Sequence, residues 1–233
     1  MQLSLKDKVA LVTGASRGIG RAIAVRLAEQ YEIVAAARSE DELDELAAAI
    51  GERGGRCTTI TVDVANPRMV AEALADVDAD VLVNNAGVGM LKPFLELTPE
   101  EWHTMVDVNF NALYHVTRAI LPGMVRRGRG HVVIIGSIAG RSAFVGGTCY
   151  AATKHAVMAF AESLMLEVRD AGVKVSVVMP GSVRTSFSQE FAGKDWALAP
   201  EDVADAVLHV VDTPPSVLVH RLEVRTLTVP KKR

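Results

Sequence analysis

Cysteine is scarce: Cys57 and Cys149 are the only two in 233 residues. They share no CxxC or zinc-ligand spacing, which argues against a disulfide framework and makes a reducing cytoplasm the expected compartment. The six histidines form no HxH or HExxH pattern, so no metal site is expected. No uninterrupted apolar run approaches the ~20 residues needed to span a bilayer. The opening MQLSLKDKVALV has no cationic segment leading into an apolar one, so neither a membrane nor a secretory route is expected. Strong charge of either sign is missing too, and a formal net charge of −3 offers nothing to nucleic acid or an anionic membrane. Linkers, internal repeats and low-complexity tracts are also lacking, which predicts one domain over residues 1–233.

Apolar residues, by contrast, are abundant. With 49% hydrophobic residues the chain can bury a large core without disulfides or metals. Short apolar runs alternate with longer alanine- and leucine-rich stretches. The runs KVALVT (8–13), EIVAAA (32–37), CTTITV (57–62), DVLVN (80–84), HVVIIG (131–136) and KVSVVM (174–179) are continuous, as expected of strands covered on both faces. Helices are predicted near 18–30, 40–51, 67–76, 99–127, 149–171 and 201–211, and SVLVHRLEVRTLTV (216–229) supplies a seventh strand with a less regular tail. The alternation predicts right-handed βαβ units and an α/β fold, a doubly wound parallel sheet with helices on both faces.

The first predicted strand runs directly into TGASRGIG (13–20). A glycine loop between a strand and a helix is the setting of a dinucleotide-binding turn, which makes the fold Rossmann-type. Gly14 permits the tight turn, Gly18 lets backbone approach a pyrophosphate, and Gly20 lets the helix pack near the strand. Ser16 and Ile19 complete the contacts predicted for the loop. Glycines punctuate many such turns, so the loop alone does not decide. Its GxxxGxG spacing resembles that of the short-chain dehydrogenase/reductase family.

The second strand carries the cofactor choice. A dehydrogenase preferring NAD places an acid about 20 residues past the loop, on the ribose 2′-OH. Here AAARS (35–39) has alanine at that place and Arg38 next to it, with Arg17 in the loop. Two guanidinium groups suit a 2′-phosphate, so NADP(H) is expected rather than NAD(H). The alternative is that both arginines are surface residues, with Glu40 and Asp41 close behind.

The family resemblance implies further cofactor contacts. In VDV (62–64), Asp63 accepts from the adenine amino group, with Val64 beside it; NNAG (84–87) contributes Asn85, Ala86 and Gly87. In PGSVRT (180–185), Pro180, Gly181, Val183 and Thr185 wrap the nicotinamide. Each segment falls at the carboxyl end of a predicted strand, where open α/β sheets bind ligands.

Reducing a carbonyl with a nicotinamide hydride requires a proton from the protein. Tyr150 and Lys154 in CYAATKHA (149–156) lie four residues apart, on one helical face. A neighbouring ammonium favours the phenolate and draws a tyrosine pKa down from about 10. The family's YxxxK motif is this pair, and it implies that both residues also contact the cofactor. Ser137, thirteen residues before Tyr150, is expected to bind the substrate oxygen. Asn109 in VDVNF (106–110) matches the family's helix asparagine that anchors a water on the relay from the lysine. The plain alternatives are a strand-end hydroxyl capping a loop for Ser137 and a surface polar residue for Asn109.

Substrate contacts are expected from RSAFVGGTC (141–149) and SFSQEFAGKDWALA (186–199), which hold Phe144, Val145, Phe187, Phe191 and Trp196 beside Arg141 and Arg184. That mixture suits a hydrophobic carbonyl compound or a small acid paired with an arginine. The segment around the predicted last strand, with its LE pair at 222–223, resembles NADP-dependent 3-hydroxy acid dehydrogenases and lacks the TG…VDGG segment of 3-oxoacyl carrier-protein reductases. Three functions therefore stand: an NADP(H)-dependent carbonyl/alcohol oxidoreductase, a 3-oxoacyl-(acyl-carrier-protein) reductase docking through Arg126, Arg127 and Arg129, and a non-catalytic NADP(H) sensor. The helices at 99–127 and 149–171 carry more apolar positions than one sheet face needs, which predicts a homodimer or homotetramer.

Overall fold

The computed structural model describes residues 8–187 and 193–228. Phe191, the centre of the second substrate loop and the far end of the predicted last strand lie outside the described residues. The strands are β1 (Val9–Thr13), β2 (Glu32–Ala37), β3 (Cys57–Thr61), β4 (Val81–Asn84), β5 (Gly130–Ile135), β6 (Val173–Pro180) and β7 (Arg221–Val224). The helices are α1 (Gly18–Leu27), α2 (Glu40–Gly51), α3 (Pro67–Ala73), α4 (Pro99–Val106), α5 (Ala112–Arg127), α6 (Thr148–Val168) and α7 (Pro200–Val211). All strands pair in parallel, in the order β3-β2-β1-β4-β5-β6-β7. The expected doubly wound Rossmann-type sheet is present.

The continuous apolar runs are explained by two cores. Within one strand, neighbouring residues point to opposite faces. Leu11, Leu82, Val132 and Ile134 pack with α3, α5 and α6, while Ala10, Val12, Val81, Val83, Val133 and Ile135 pack with α1, α2 and α7. The edge strands depart from this pattern: β3 is half-exposed, and β7 holds only four residues, none of them buried. A strand with one neighbour needs less apolar cover, so 57–62 does not share the two-faced burial expected of it.

The predicted helix over 99–127 is interrupted. Between α4 and α5 a π-turn spans Asp107–Asn111. Such a turn inserts a residue and re-aims the side chains on it, and it is frequent at functional positions. Helix α5 ends at Gly128, whose φ of 65° closes RRGRGH, with Arg127 against Asp78 and the Ala79 carbonyl and Arg129 on Asp80. That basic cluster is therefore a helix stop. It precedes β5, so it lies at the opposite end of the sheet from the carboxyl ends of the strands.

Candidate active site

The direction of the strand order reverses at β1, which lies between β2 and β4, and a crevice there is the binding position of this architecture. A cleft of about 1300 Å³ occupies it. Every residue expected at the cofactor lines this cleft: Gly14, Ser16, Arg17, Gly18, Ile19 and Gly20 from the loop; Arg38, Asp63 and Val64; Asn85, Ala86 and Gly87; Pro180, Gly181, Val183 and Thr185; and Tyr150 with Lys154.

The glycine loop has no room for side chains. Gly14 has φ of +63°, and a Cβ there would sit 2.9 Å from the Ala86 Cα. A Cβ on Gly20 would come within 2.1 Å of the Gly14 carbonyl oxygen. Asn85 then ties the loop to the end of β4, its Nδ2 donating to the carbonyls of Thr13 (2.9 Å) and Gly14 (3.2 Å). The Thr13 hydroxyl accepts from the backbone N–H groups of Asn85 and Ala86 at 3.0 and 3.2 Å. Asn85 and Thr13 thus hold the loop, and the Asn85 amide is spent on backbone. Asp63 accepts from the N–H of Ala65 at 3.0 Å, which fixes its turn.

The anion end fits a dinucleotide phosphate. Helix α1 begins with no side-chain cap at Arg17, so its first N–H groups face the cleft unpaired, at the positive end of the helix dipole. Arg17 and Arg38 are exposed there, and neither has an ion-pair partner among the described residues. Strand β2 ends on Ala37 with no acid at the ribose position. Besides Asp63, the acid lining the cleft is Glu42, in the first turn of α2. The acids weighed in the sequence, Glu40 and Asp41, do not line it.

At the reacting end, Tyr150 and Lys154 share one face of α6. The Lys154 Nζ lies 5.8 Å from the centre of the Tyr150 ring and donates to the Ile135 carbonyl at 3.0 Å. The Ser137 hydroxyl lies close enough to the Tyr150 phenol to favour its ionised form. It also accepts from the Ala139 N–H at 3.1 Å, so it both caps the turn after β5 and reaches the site. Burial pushes the Tyr150 phenol above its usual value, and it pulls Lys154 down to about 8. The expected lowering by the Lys154 ammonium does not appear: burial is the larger cause of the Tyr150 shift, and Ser137 is the group that opposes it.

Asn109 does not line the cleft. It is buried on the π-turn, accepting from the Val88 N–H at 2.8 Å and donating to the Val88 carbonyl (2.9 Å) and the Thr153 hydroxyl (3.3 Å). It therefore clamps the segment after β4 and is not a surface residue. Behind the cleft, Asn109, Lys154, Asn84 and Thr13 help line a cavity of about 20 Å³, enough for about one water.

A model of the short chain dehydrogenases matches residues 8–195. The chain belongs to this family. It is 38% identical to the NADP-dependent 3-hydroxy acid dehydrogenase YdfG of Salmonella typhi, covering 94% of this chain and 95% of that one. A closed serine dehydrogenase complexed with NADP+ superposes with a TM-score of 0.88 at 34% identity, covering 97% and 99% of the two chains. An alcohol dehydrogenase of Thermococcus sibiricus complexed with 5-hydroxy-NADP gives 0.90 at 34%, with the same coverage.

The substrate half of this dehydrogenase was read less well. Phe144, Val145 and Phe187 line the cleft, but Trp196, Arg141 and Arg184 do not. Arg141 is turned onto Glu223. Leu91, Lys92 and Arg225 line the cleft without having been anticipated. Arg225 follows the last strand directly, so the strand-end rule points to it, but only once the end of β7 is known. Phe187 packs against Tyr150 at a tilt of 54° with ring centres 5.7 Å apart, and Gly89 makes room for it, since a Cβ there would sit 2.5 Å from the Phe187 ring.

Proposed function

We propose that this short-chain dehydrogenase interconverts a secondary alcohol and a carbonyl with NADP(H), with a 3-hydroxy acid as the substrate class and Tyr150 as the acid/base. The observation that carries the reading is the meeting of Tyr150, Ser137 and Lys154 in the cleft whose other end holds Arg17, Arg38 and the uncapped α1. The 3-hydroxy acid class draws on the relatives named above. Arg17, Arg38 and Ser39 would hold the 2′-phosphate, and the glycine loop the pyrophosphate. Lys154 and the turn at Pro180–Gly181 would hold the nicotinamide ribose and ring. When bound, NADPH supplies the hydride and NADP+ accepts it.

The chain's own residues manage the proton. Ser137 donates to the substrate oxygen and stabilises charge developing there. Tyr150 gives its phenolic proton to that oxygen in reduction and takes it back in alcohol oxidation. Lys154 replenishes Tyr150, and Asn109 positions a water in the cavity behind Lys154 to connect it with solvent.

The carrier-protein alternative loses its docking face, because the Arg126–Arg129 cluster lies at the far end of the sheet from the cleft. Self-association as a homodimer or homotetramer is supported by α6, whose outer face presents Ala156, Ala159 and Phe160 with Phe110. Among the described residues no helix is long and apolar enough to cross a membrane, and we place the enzyme in the cytoplasm as a single catalytic domain. The deciding experiment is a panel of 3-hydroxy acids, 3-oxo acids and neutral ketones assayed with NADP(H) and NAD(H). Turnover of hydroxy acids with NADP+ in preference to NAD+ is expected. Tight NADPH binding without turnover of any substrate would instead indicate a sensor.

A further inference from the structure

We propose that Arg225 is the residue that receives the substrate's carboxylate. The proposal rests on the hydroxy-acid reading above and adds the group that tells an acid from a neutral carbonyl compound. Along a strand, alternate residues share a face. On β7, Leu222 and Val224 pack into the core beneath α7, while Arg221 and Glu223 face the other way, and Arg221 pairs with Glu162 of α6. Arg225 continues that second row one step past the strand, where the row enters the cleft.

Arg225 is aimed by a tether. Its Nε donates to Glu223, and Glu223 is gripped from the other side by the Arg141 Nη1 at 3.0 Å. The two guanidinium groups hold the Glu223 carboxyl below the usual carboxylate range, Arg225 most strongly. Two cations on one carboxylate leave one positive charge uncompensated at the rim. The Nη groups of Arg225 have no hydrogen-bond partner among the described residues, and a guanidinium fork matches a planar carboxylate.

The position is at the reacting end. The Gly181 N–H donates to the Val224 carbonyl at 2.8 Å. A Cβ on Gly181 would sit 3.9 Å from the Arg225 Cα and 3.8 Å from the Ile138 side chain, and Ile138 follows Ser137. The other cations lining the cleft are committed elsewhere. Arg17 and Arg38 stand at the phosphate end, Lys92 is paired with Glu101, and Lys154 is buried on the Ile135 carbonyl.

The test compares wild type, Arg225→Met and Arg225→Lys on a 3-hydroxy acid and its methyl ester, with NADPH affinity read by fluorescence. Arg225→Met should raise KM for the acid roughly 10- to 100-fold, leaving kcat, the ester and NADPH affinity near wild type. Arg225→Lys, which keeps the charge without the fork, should fall between. Equal losses on acid and ester would make Arg225 merely structural and overturn the proposal. A loss confined to NADPH affinity, or no change at all, would also overturn it. If wild type prefers the ester, the proposal falls while the oxidoreductase reading stands. If wild type turns over neither, calorimetry of the acid with the protein–NADP+ complex decides. Affinity lost in Arg225→Met then supports the carboxylate site while the hydroxy-acid chemistry fails, and unchanged affinity overturns the site.

Discussion

The cofactor half of the cleft is made of strand ends and one glycine turn, tied together by backbone groups and the Asn85 amide. The substrate half is made of loops that present large apolar side chains, Leu91, Phe144 and Phe187, each about two-fifths exposed, and Val145, almost fully so. The first half is built for a constant ligand and is over-determined: Asn85 and Thr13 tie the loop to the end of β4, and a methyl added at Gly14 or Gly20 collides. The second offers apolar area, which is non-directional and tolerates repacking. Clustered exposed apolar residues at a cleft mouth are a mark of binding. The same cleft is therefore rigid at one end and adaptable at the other.

The contrast can be broken or sharpened by substitution, and the largest effect belongs to the junction of the halves. Tyr150→Phe should cut turnover by about 10²- to 10⁴-fold while sparing NADPH affinity. Retained activity in steady-state assays would remove Tyr150 from the proton path. Gly20→Ala should abolish NADPH binding or soluble folding, since its methyl would occupy the place of the Gly14 carbonyl. Titration by NADPH fluorescence alongside circular dichroism separates the two results, and near-normal affinity would refute the rigid-loop picture.

Smaller and more graded is Arg38→Ala combined with Arg17→Ala. Losing two charge-assisted contacts, each worth about 1.5–3 kcal/mol, should lower the NADP/NAD ratio of kcat/KM by roughly 10-fold or more per residue, with NAD(H) activity little changed. The pH profile comes next. Lys154 has its pKa depressed to about 8, so its proton is present below that value and lost above it. Tyr150, pushed the other way, keeps its own proton. Carbonyl reduction should therefore be flat below about pH 8 and fall as Lys154 neutralises; a kcat profile still flat well above pH 8 would sink the relay. The smallest effect is expected of Phe187→Ala, which should shift KM by only a few-fold, about 1 kcal/mol, and spare kcat. A large loss of kcat would show that Phe187 holds Tyr150 in place and is more than an adaptable wall.

Most of the fold was legible because the pattern that sets it is local. EIVAAA and EDELDELAAAIG became β2 and α2 with the predicted boundaries, and the glycine loop announced its own crowding. The pairing of Tyr150 and Lys154 was legible because four-residue helical spacing places the two together whatever surrounds them. The π-turn was not, since it depends on Asn109 finding Val88 from 21 positions away. Nor was the sign of the tyrosine shift, because desolvation is a property of the assembled site. Arg141 looked like the substrate's arginine from its loop, but a glutamate 82 positions away claims it.

The sequence by itself determined the parallel sheet, the cofactor cradle and the helical face of Tyr150 and Lys154, because short-range sterics and side-chain periodicity do not depend on what lies across the fold. Only the tertiary structure decided which cations remain uncommitted, how far burial moves the reacting groups, and that Arg225, not Arg141 or Arg184, stands in the cleft. Charge pairing and desolvation are settled between elements distant in the chain, and no run of neighbouring residues records them.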